Sequence, residues 1–91
     1  MKEPKFKINQ LVKITVENET RYYHVLEPVW NKHANMYLYR LDEPMAMPVW
    51  REDWLEAVSD EELRQLEVAL EAGRIRMHRR GYLTVDGGLD I

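Results

Sequence analysis

Apolar and polar residues alternate along the first part of the chain. From residue 6 to residue 16, most even positions are apolar and most odd positions are polar. This period of two is typical of a half-buried strand or pair of strands. A polar turn follows at residues 17–20, and the pattern then predicts a second strand over residues 21–26. Both faces of this second strand carry large side chains, so both are expected to be covered at least in part.

Turn residues separate three further predicted strands, over residues 36–41, 45–50 and 55–58. Pro28 is expected to end or bend the second strand, and Pro48 to place the fourth strand at an edge or a bulge, because proline cannot donate to a ladder. Five short strands within residues 5–58 predict a small β-barrel.

A capped amphipathic helix is predicted over residues 59–73. Ser59 and Glu62 have the spacing of a capping box, in which the serine oxygen accepts a bond from the Glu62 N–H and the glutamate side chain reaches back to the cap. Gly73 is the residue type expected just past the helix end. The apolar stripe of this helix consists of Leu63, Leu66, Ala69 and Leu70.

The last segment, residues 74–91, alternates again and predicts a C-terminal β-hairpin with its turn at Arg80 and Gly81. The predicted fold class is therefore mainly β. It consists of a five-stranded small barrel, one α-helix and a C-terminal hairpin, which together form a single structural domain.

The composition is that of an ordinary globular chain. Of its 91 residues, 45% are hydrophobic and 32% are charged. No apolar run approaches the roughly 18 residues of a membrane span, and the N-terminus lacks the apolar segment of a secretory signal. The chain has no cysteine, which excludes disulfides, thiolate metal sites and cysteine nucleophiles. We expect a cytoplasmic protein with no membrane contact.

Motifs for catalysis or cofactor binding are missing from the sequence. His24, His33 and His78 do not have the spacing of metal ligands. The only serine, Ser59, is assigned to the helix cap, which leaves no serine nucleophile. No catalytic residue, metal or cofactor is therefore predicted, and an enzyme is the least favoured class.

Aromatic residues are concentrated between residues 21 and 54. Such rings can bind cations, prolines or bases, although a single ring in a small barrel more often packs in the core. Trp30 and Trp54 lie next to predicted turns, where binding residues tend to gather. Together with Tyr22 and His33, they form the predicted partner-binding set.

Charge is distributed unevenly, although the net charge is only −3. Residues 59–73 contain one arginine and five acids, whereas residues 74–91 contain four arginines and two aspartates. Arginines at alternate positions of a strand can contact phosphates, or they can pair within the chain with the helix acids. The candidate nucleic-acid contacts are Arg74, Arg76, Arg79 and Arg80. The candidate internal partners are Glu61, Glu62, Glu67 and Glu71.

The apolar spacings of residues 6–58 resemble the SH3-like small-barrel superfold. They are Val12-x-Ile14, Tyr23-x-Val25, Trp30 beside a turn, Tyr37-x-Tyr39-x-Leu41 and Trp50-x-x-Asp53-x-Leu55. The last of these looks like the acidic turn and leucine that close the core in many bacterial versions of the superfold. The resemblance implies a binding function, without a named ligand and without a catalytic residue.

We therefore expect a non-enzymatic module that binds another protein, either as a monomer or as a homodimer. The alternative is a small nucleic-acid-binding or regulatory protein that uses the arginine-rich C-terminal segment. Salt dependence distinguishes the two, because phosphate contacts weaken steeply with salt whereas aromatic docking does not.

Overall fold

The computed structural model describes residues 3–42, 49–79 and 81–89. Within them the fold is mainly β, and one α-helix follows the first five strands, which confirms the predicted fold class. The elements are β1 Leu11–Val16, β2 Glu19–Asn31, β3 Met36–Leu41, β4 Trp50–Arg51, the 3₁₀ turn Glu52–Trp54, β5 Glu56–Ala57, α1 Asp60–Glu71, β6 Ile75–Met77 and β7 Leu83–Val85.

The strands form a curled antiparallel sheet, or half-barrel. The first five lie in the order β4-β3-β2-β1-β5, while β7 pairs with both β2 and β6. The predicted C-terminal hairpin is therefore part of the same sheet. It joins at the register pair Tyr22 and Leu83, and the ring of Tyr82 packs against that of Tyr23 with centroids 5.5 Å apart.

Strand β2 is longer than predicted and is shared between the two halves of the sheet. Its first half pairs with β1 as far as His24, and its second half pairs with β3 from Val25 onward. A bulge between Val25 and Glu27 lies at the start of the second half, and a bulge bends a strand and increases its twist. Pro28 lies within this second half and does not end the strand. One edge of β2 is not paired with β1 there, and a missing N–H is tolerated at such an edge.

The N-terminal segment differs from the strand expected there. β1 begins only at Leu11, because Asn9 adopts a left-handed conformation with φ of 69°. Asparagine tolerates this region better than most residues, and the Asn9 N–H donates to the Val25 carbonyl at 2.7 Å. As a result Ile8 is exposed, while Phe6 is fully buried against the barrel.

The turn between β1 and β2 is shorter than the predicted one over residues 17–20, because Glu19 and Thr20 already belong to β2. Glu17 and Asn18 both have positive φ, at 51° and 68°, as a two-residue type I′ hairpin requires. The turn at residues 32–35 ends with Asn35, also at positive φ. The predicted fourth strand over residues 45–50 falls mainly on residues 43–48, which lie outside the described residues.

One cluster of buried side chains fills the half-barrel, and half of its members are aromatic. It consists of Phe6, Val12, Tyr23, Val25, Tyr39, Leu41, Leu55 and Tyr82. Ile14, Tyr37 and Trp50 pack against it while keeping part of their surface in solvent.

Helix α1 begins at the predicted cap, since the Ser59 Oγ accepts a bond from the Glu62 N–H at 3.1 Å. Gly73, at φ 72°, ends the helix as predicted. Its buried stripe differs from the predicted one. Glu62, Leu66 and Ala69 are buried, whereas Leu63 and Leu70 are exposed. The helix is rotated so that a carboxylate, and not a row of leucines, faces the barrel.

No helix among the described residues is both long enough and apolar enough to cross a membrane.

Candidate functional site

The exposed ring of Trp54 marks the first candidate site, which we call the tryptophan turn (residues 50–54). Trp54 ends the 3₁₀ turn and is 45% exposed. The Trp50 ring meets it edge to face, with centroids 6.4 Å apart. On another side, the Arg51 guanidinium lies 5.5 Å from its centroid. The ring is thus exposed and yet held in place, which lowers the conformational entropy lost on binding.

A salt bridge between Arg51 and Asp53 lies at the surface of the tryptophan turn. Arg51 donates two hydrogen bonds to the Asp53 carboxylate, at 2.9 and 2.8 Å. This bidentate pair lowers the pKa of Asp53 and raises that of Arg51. Both groups are exposed, so the pair orients Arg51 more than it stabilises the fold.

A buried tyrosine holds the tryptophan turn to the core. The Tyr39 hydroxyl donates to the Glu52 carboxylate at 2.5 Å and accepts from the Phe6 N–H at 3.2 Å. Burial, and then the bond to Glu52, raise the pKa of Tyr39 to about 12. Beside it, the Trp50 ring lies 5.7 Å from that of Tyr23. The base of the turn is therefore fixed while its tip, Trp54, faces solvent.

Two other predicted binding residues lie at the hairpin between β2 and β3. Trp30 is half-buried and meets Tyr37 edge to face at 5.1 Å. His33 is exposed in the turn that follows. Their role in partner binding stays a prediction. Trp30 both packs against Tyr37 and keeps part of its ring accessible to a partner, whereas His33 is accessible at the tip of the hairpin.

Tyr22, the fourth predicted binding residue, is not on the surface. It is only 3% exposed, and its hydroxyl donates to the Glu62 carboxylate at 2.8 Å. Lys13 donates to the other oxygen of the same carboxylate at 2.7 Å. Burial, followed by the bond to Glu62, raises the pKa of Tyr22. We call Lys13, Tyr22 and Glu62 the carboxylate network. The Glu62 side chain extends to the barrel, and not back to the helix cap as predicted.

A polar groove of about 580 Å³ opens beside the carboxylate network. Its walls come from the β1–β2 hairpin, the start of α1 and the β6–β7 hairpin. The lining residues are Lys13, Asn18, Glu19, Thr20, Tyr22, Glu62, Arg76, His78, Thr84, Val85, Asp86, Gly87, Gly88 and Leu89. Each lining carboxylate has a cationic partner: Glu19 pairs with Arg21, Glu62 with Lys13 and Asp86 with Arg76. No carboxylate among the described residues that line the groove is therefore left without a cationic partner.

Among the described residues, two of the four arginines named as candidate nucleic-acid contacts bind groups within the chain. Arg74 donates to the backbone carbonyls of Asp86, at 3.1 Å, and of Gly88. Arg76 pairs with the Asp86 carboxylate at 3.5 Å. Arg79 is exposed and has no ion pair in the described part of the chain, and Arg80 lies outside it. Internal partners of Arg74 and Arg76 thus exist, but they are not the helix acids that were predicted.

The groove was not predicted as a unit because its residues come from distant segments, although Tyr22, Glu62 and Arg76 were each named separately. Lys13 and Tyr22 are opposite each other in the β1–β2 register, and the turn residues Glu17 and Asn18 are a signal that could have placed them together. No local pattern could have placed the first turn of α1 over that pair. His78, which lies 2.8 Å from the Thr84 hydroxyl, is brought to the groove by the hairpin.

No group of three or more His, Cys, Asp and Glu within residues 3–42, 49–79 and 81–89 is placed to hold a metal ion. Fold and surface together define a small, aromatic-rich, single-domain β protein with an exposed tryptophan turn. Comparisons with protein-family models, with curated proteins and with solved structures found no match to this chain.

Proposed function

We propose that this chain is a non-enzymatic interaction module on an SH3-like barrel, and that it binds a protein partner through the tryptophan turn. The observation that carries the proposal is Trp54, a large ring that is 45% exposed although its neighbours hold it in place. Tryptophan and arginine are the residue types most often found as anchors of protein interfaces. Trp54 and Arg51 supply both at one turn.

The arrangement of the strands supports the SH3-like assignment. The five strands of the barrel follow the order β4-β3-β2-β1-β5. The acidic turn of the resemblance corresponds to the 3₁₀ turn Glu52–Trp54, and Leu55, which follows it, is 2% exposed in the core. The leucine that closes the core and the tryptophan that faces solvent are thus neighbours in sequence.

The test is affinity capture from a native lysate, with nuclease treatment as one arm. Wild type and Trp54→Ala are compared with Leu26→Ala, a control whose residue is equally exposed, at 46%. We expect a protein that survives nuclease treatment to be retained by wild type and by Leu26→Ala but lost with Trp54→Ala. Equal retention by all three would contradict the proposal.

Nucleic-acid binding by the arginine-rich segment is the alternative, and it is tested by titrating duplex DNA. Each neutralised phosphate adds about −0.9 to the slope of log affinity against log salt. Four free arginines would give a slope of roughly −3 or steeper. Because Arg74 and Arg76 are bonded within the chain, we expect only weak, non-specific binding. Tight binding with a steep slope that falls in Arg76→Ala/Arg79→Ala would favour the alternative.

A further inference from the structure

Helix α1 carries a line of leucine that the barrel does not cover. Leu63 and Leu70 are seven residues apart, so they lie on one side of the helix, two turns from each other. They are 38% and 64% exposed, whereas Leu66 between them is buried. Isolated exposed leucines are common on protein surfaces, so the surroundings of this line decide whether it has a use.

Three exposed carboxylates flank the leucine line along one side. Asp60, Glu67 and Glu71 fall into a single stripe at 3.6 residues per turn. The one basic residue of α1, Arg64, is paired with Glu61 at 2.5 Å. Within the described segments, none of the three flanking carboxylates has an ion pair. The surface therefore combines exposed apolar area with negative charge that no ion pair among the described residues neutralises.

We propose that this surface, formed by Leu63, Leu70, Asp60, Glu67 and Glu71, binds a basic amphipathic helix of a partner protein. The leucine line takes apolar residues that recur every three or four positions on the partner helix. The carboxylates pair with lysines or arginines beside those residues. Apolar seams flanked by charges of opposite sign set partner choice in helix pairs.

A second copy of this chain is a poorer occupant of the same surface. A second α1 helix offers these carboxylates no free cation, because its one basic residue, Arg64, is paired with Glu61. In an antiparallel pair the two stripes of carboxylates would also face each other. Like charges facing each other suppress an association. A helix of 12 residues also offers a small contact area, so binding to the basic partner is expected to be weak and sensitive to salt.

The test uses a designed, fluorescently labelled helical peptide with leucines at i, i+3 and i+7 and lysines beside them. Fluorescence anisotropy with the full chain is expected to show binding that weakens as salt is raised. Leu70→Ser is expected to weaken it about tenfold, as loss of an interface anchor does. A peptide with glutamates in place of the lysines is expected not to bind.

Two variants serve as matched controls. Val68 is 62% exposed, as Leu70 is, but lies on the opposite side of α1, so Val68→Ser should leave the affinity unchanged. Trp54→Ala should also leave it unchanged, which separates this surface from the tryptophan turn. The proposal is overturned by no binding up to ~1 mM peptide, by equal loss in Val68→Ser and Leu70→Ser, or by equal binding of the two peptides. Sedimentation that shows a dimer dissolved by Leu70→Ser would instead favour a second copy.

Discussion

The tryptophan turn and the carboxylate network use the same kinds of residue in opposite ways. At the turn, the Trp54 ring is exposed and the charged pair beside it stays in solvent. In the network, the Glu62 carboxylate is 3% exposed, and the Tyr22 ring is buried with it. Residue type therefore does not decide which side chains of this chain are buried. What differs is how far each group is buried: Glu62 is held between α1 and the sheet at 3% exposure, whereas Trp54 keeps 45%.

The two regions also differ in what their charges contribute. The buried carboxylate of Glu62 is taken out of water, so its bonds to Lys13 and Tyr22 must replace its hydration. These bonds attach α1 to strands β1 and β2. The exposed Arg51–Asp53 pair at the tryptophan turn stays hydrated, and its contribution is to orient Arg51 against the Trp54 ring. A substitution in the network should thus change stability, and one at the tip of the turn should change binding.

The largest expected effect is that of Glu62→Ala. It leaves the Tyr22 hydroxyl and the Lys13 ammonium without their partner, and should lower the free energy of unfolding by about 2–3 kcal/mol. Lys13 keeps 20% of its side chain exposed, which limits the loss. Denaturant unfolding measures it. The control is Glu67→Ala, an exposed acid on the same helix, expected within about 0.5 kcal/mol of wild type. Equal losses for the two would show that the carboxylate network does not hold the helix.

Tyrosine hydroxyls allow a matched comparison between the two regions. Tyr22→Phe and Tyr39→Phe each remove a bond to a carboxylate and should each cost about 1.5 kcal/mol. Combined with Glu62→Ala, the Tyr22 substitution should be non-additive, because both change one network, while the Tyr39 substitution should be additive. Equal coupling in both double mutants would mean that the regions are not independent.

Alkaline pH should weaken the fold through the same two hydroxyls. The folded-state pKa is raised above the ordinary value of 10.0, to about 12 for Tyr39 and likewise upward for Tyr22. Above pH 10 the unfolded chain loses these protons first, so stability is complete below pH 10 and falls as the pH rises toward 12. Unfolding by denaturant across this range measures the fall. It should be smaller in Tyr39→Phe and in Tyr22→Phe, and an unchanged fall in both would contradict the assignment.

Ser59→Ala is expected to cost about 1 kcal/mol, since it removes the acceptor for the Glu62 N–H. The loss should be additive with Tyr39→Phe, which is part of the other region. Thermal unfolding with helical circular dichroism measures it. A melting temperature identical to that of wild type would show that the cap does not limit the stability of α1.

Trp54→Ala should have the smallest effect on folding, within about 0.5 kcal/mol of wild type. Its ring is exposed, and the contacts that hold the turn to the core belong to Tyr39 and Trp50. Chemical denaturation, with Leu26→Ala as the control for an exposed apolar residue, measures it. A loss as large as that of Glu62→Ala would make Trp54 a structural residue and remove the basis of the proposed binding surface.

The parts of the fold that sequence predicted are those set by local chemistry. The cap at Ser59, the helix end at Gly73 and the hairpin turns depend on residues close together in the chain. The strand periodicity failed at Asn9, where a left-handed residue stops the alternation from forming a strand. It also failed after Val25, where a bulge let β2 continue through Pro28. Backbone irregularities of this kind leave little trace in a hydrophobic pattern.

The accessibility of the candidate binding residues depends on tertiary contacts, which the sequence pattern does not show. Trp54 was expected beside a turn and is exposed there. Tyr22 was a candidate binding residue, but the first turn of α1 covers it and leaves 3% of the residue exposed. Glu62 has the right spacing for a capping box, and only the position of the helix over Lys13 explains why its side chain extends elsewhere. Local pattern identifies candidate residues, whereas docking of the helix decides which of them remain accessible.

Pairing of β7 with β2 has a consequence for synthesis of the chain. β2 is translated well before β7, whose Leu83 pairs with Tyr22, and before Tyr82, whose ring packs on that of Tyr23. A nascent chain translated as far as α1 contains all of the first five strands, but it lacks both the Tyr82 ring and the strand β7 that pairs with β2. A chain translated only as far as α1 therefore has an incomplete sheet, and the Tyr23 ring lacks its contact with Tyr82.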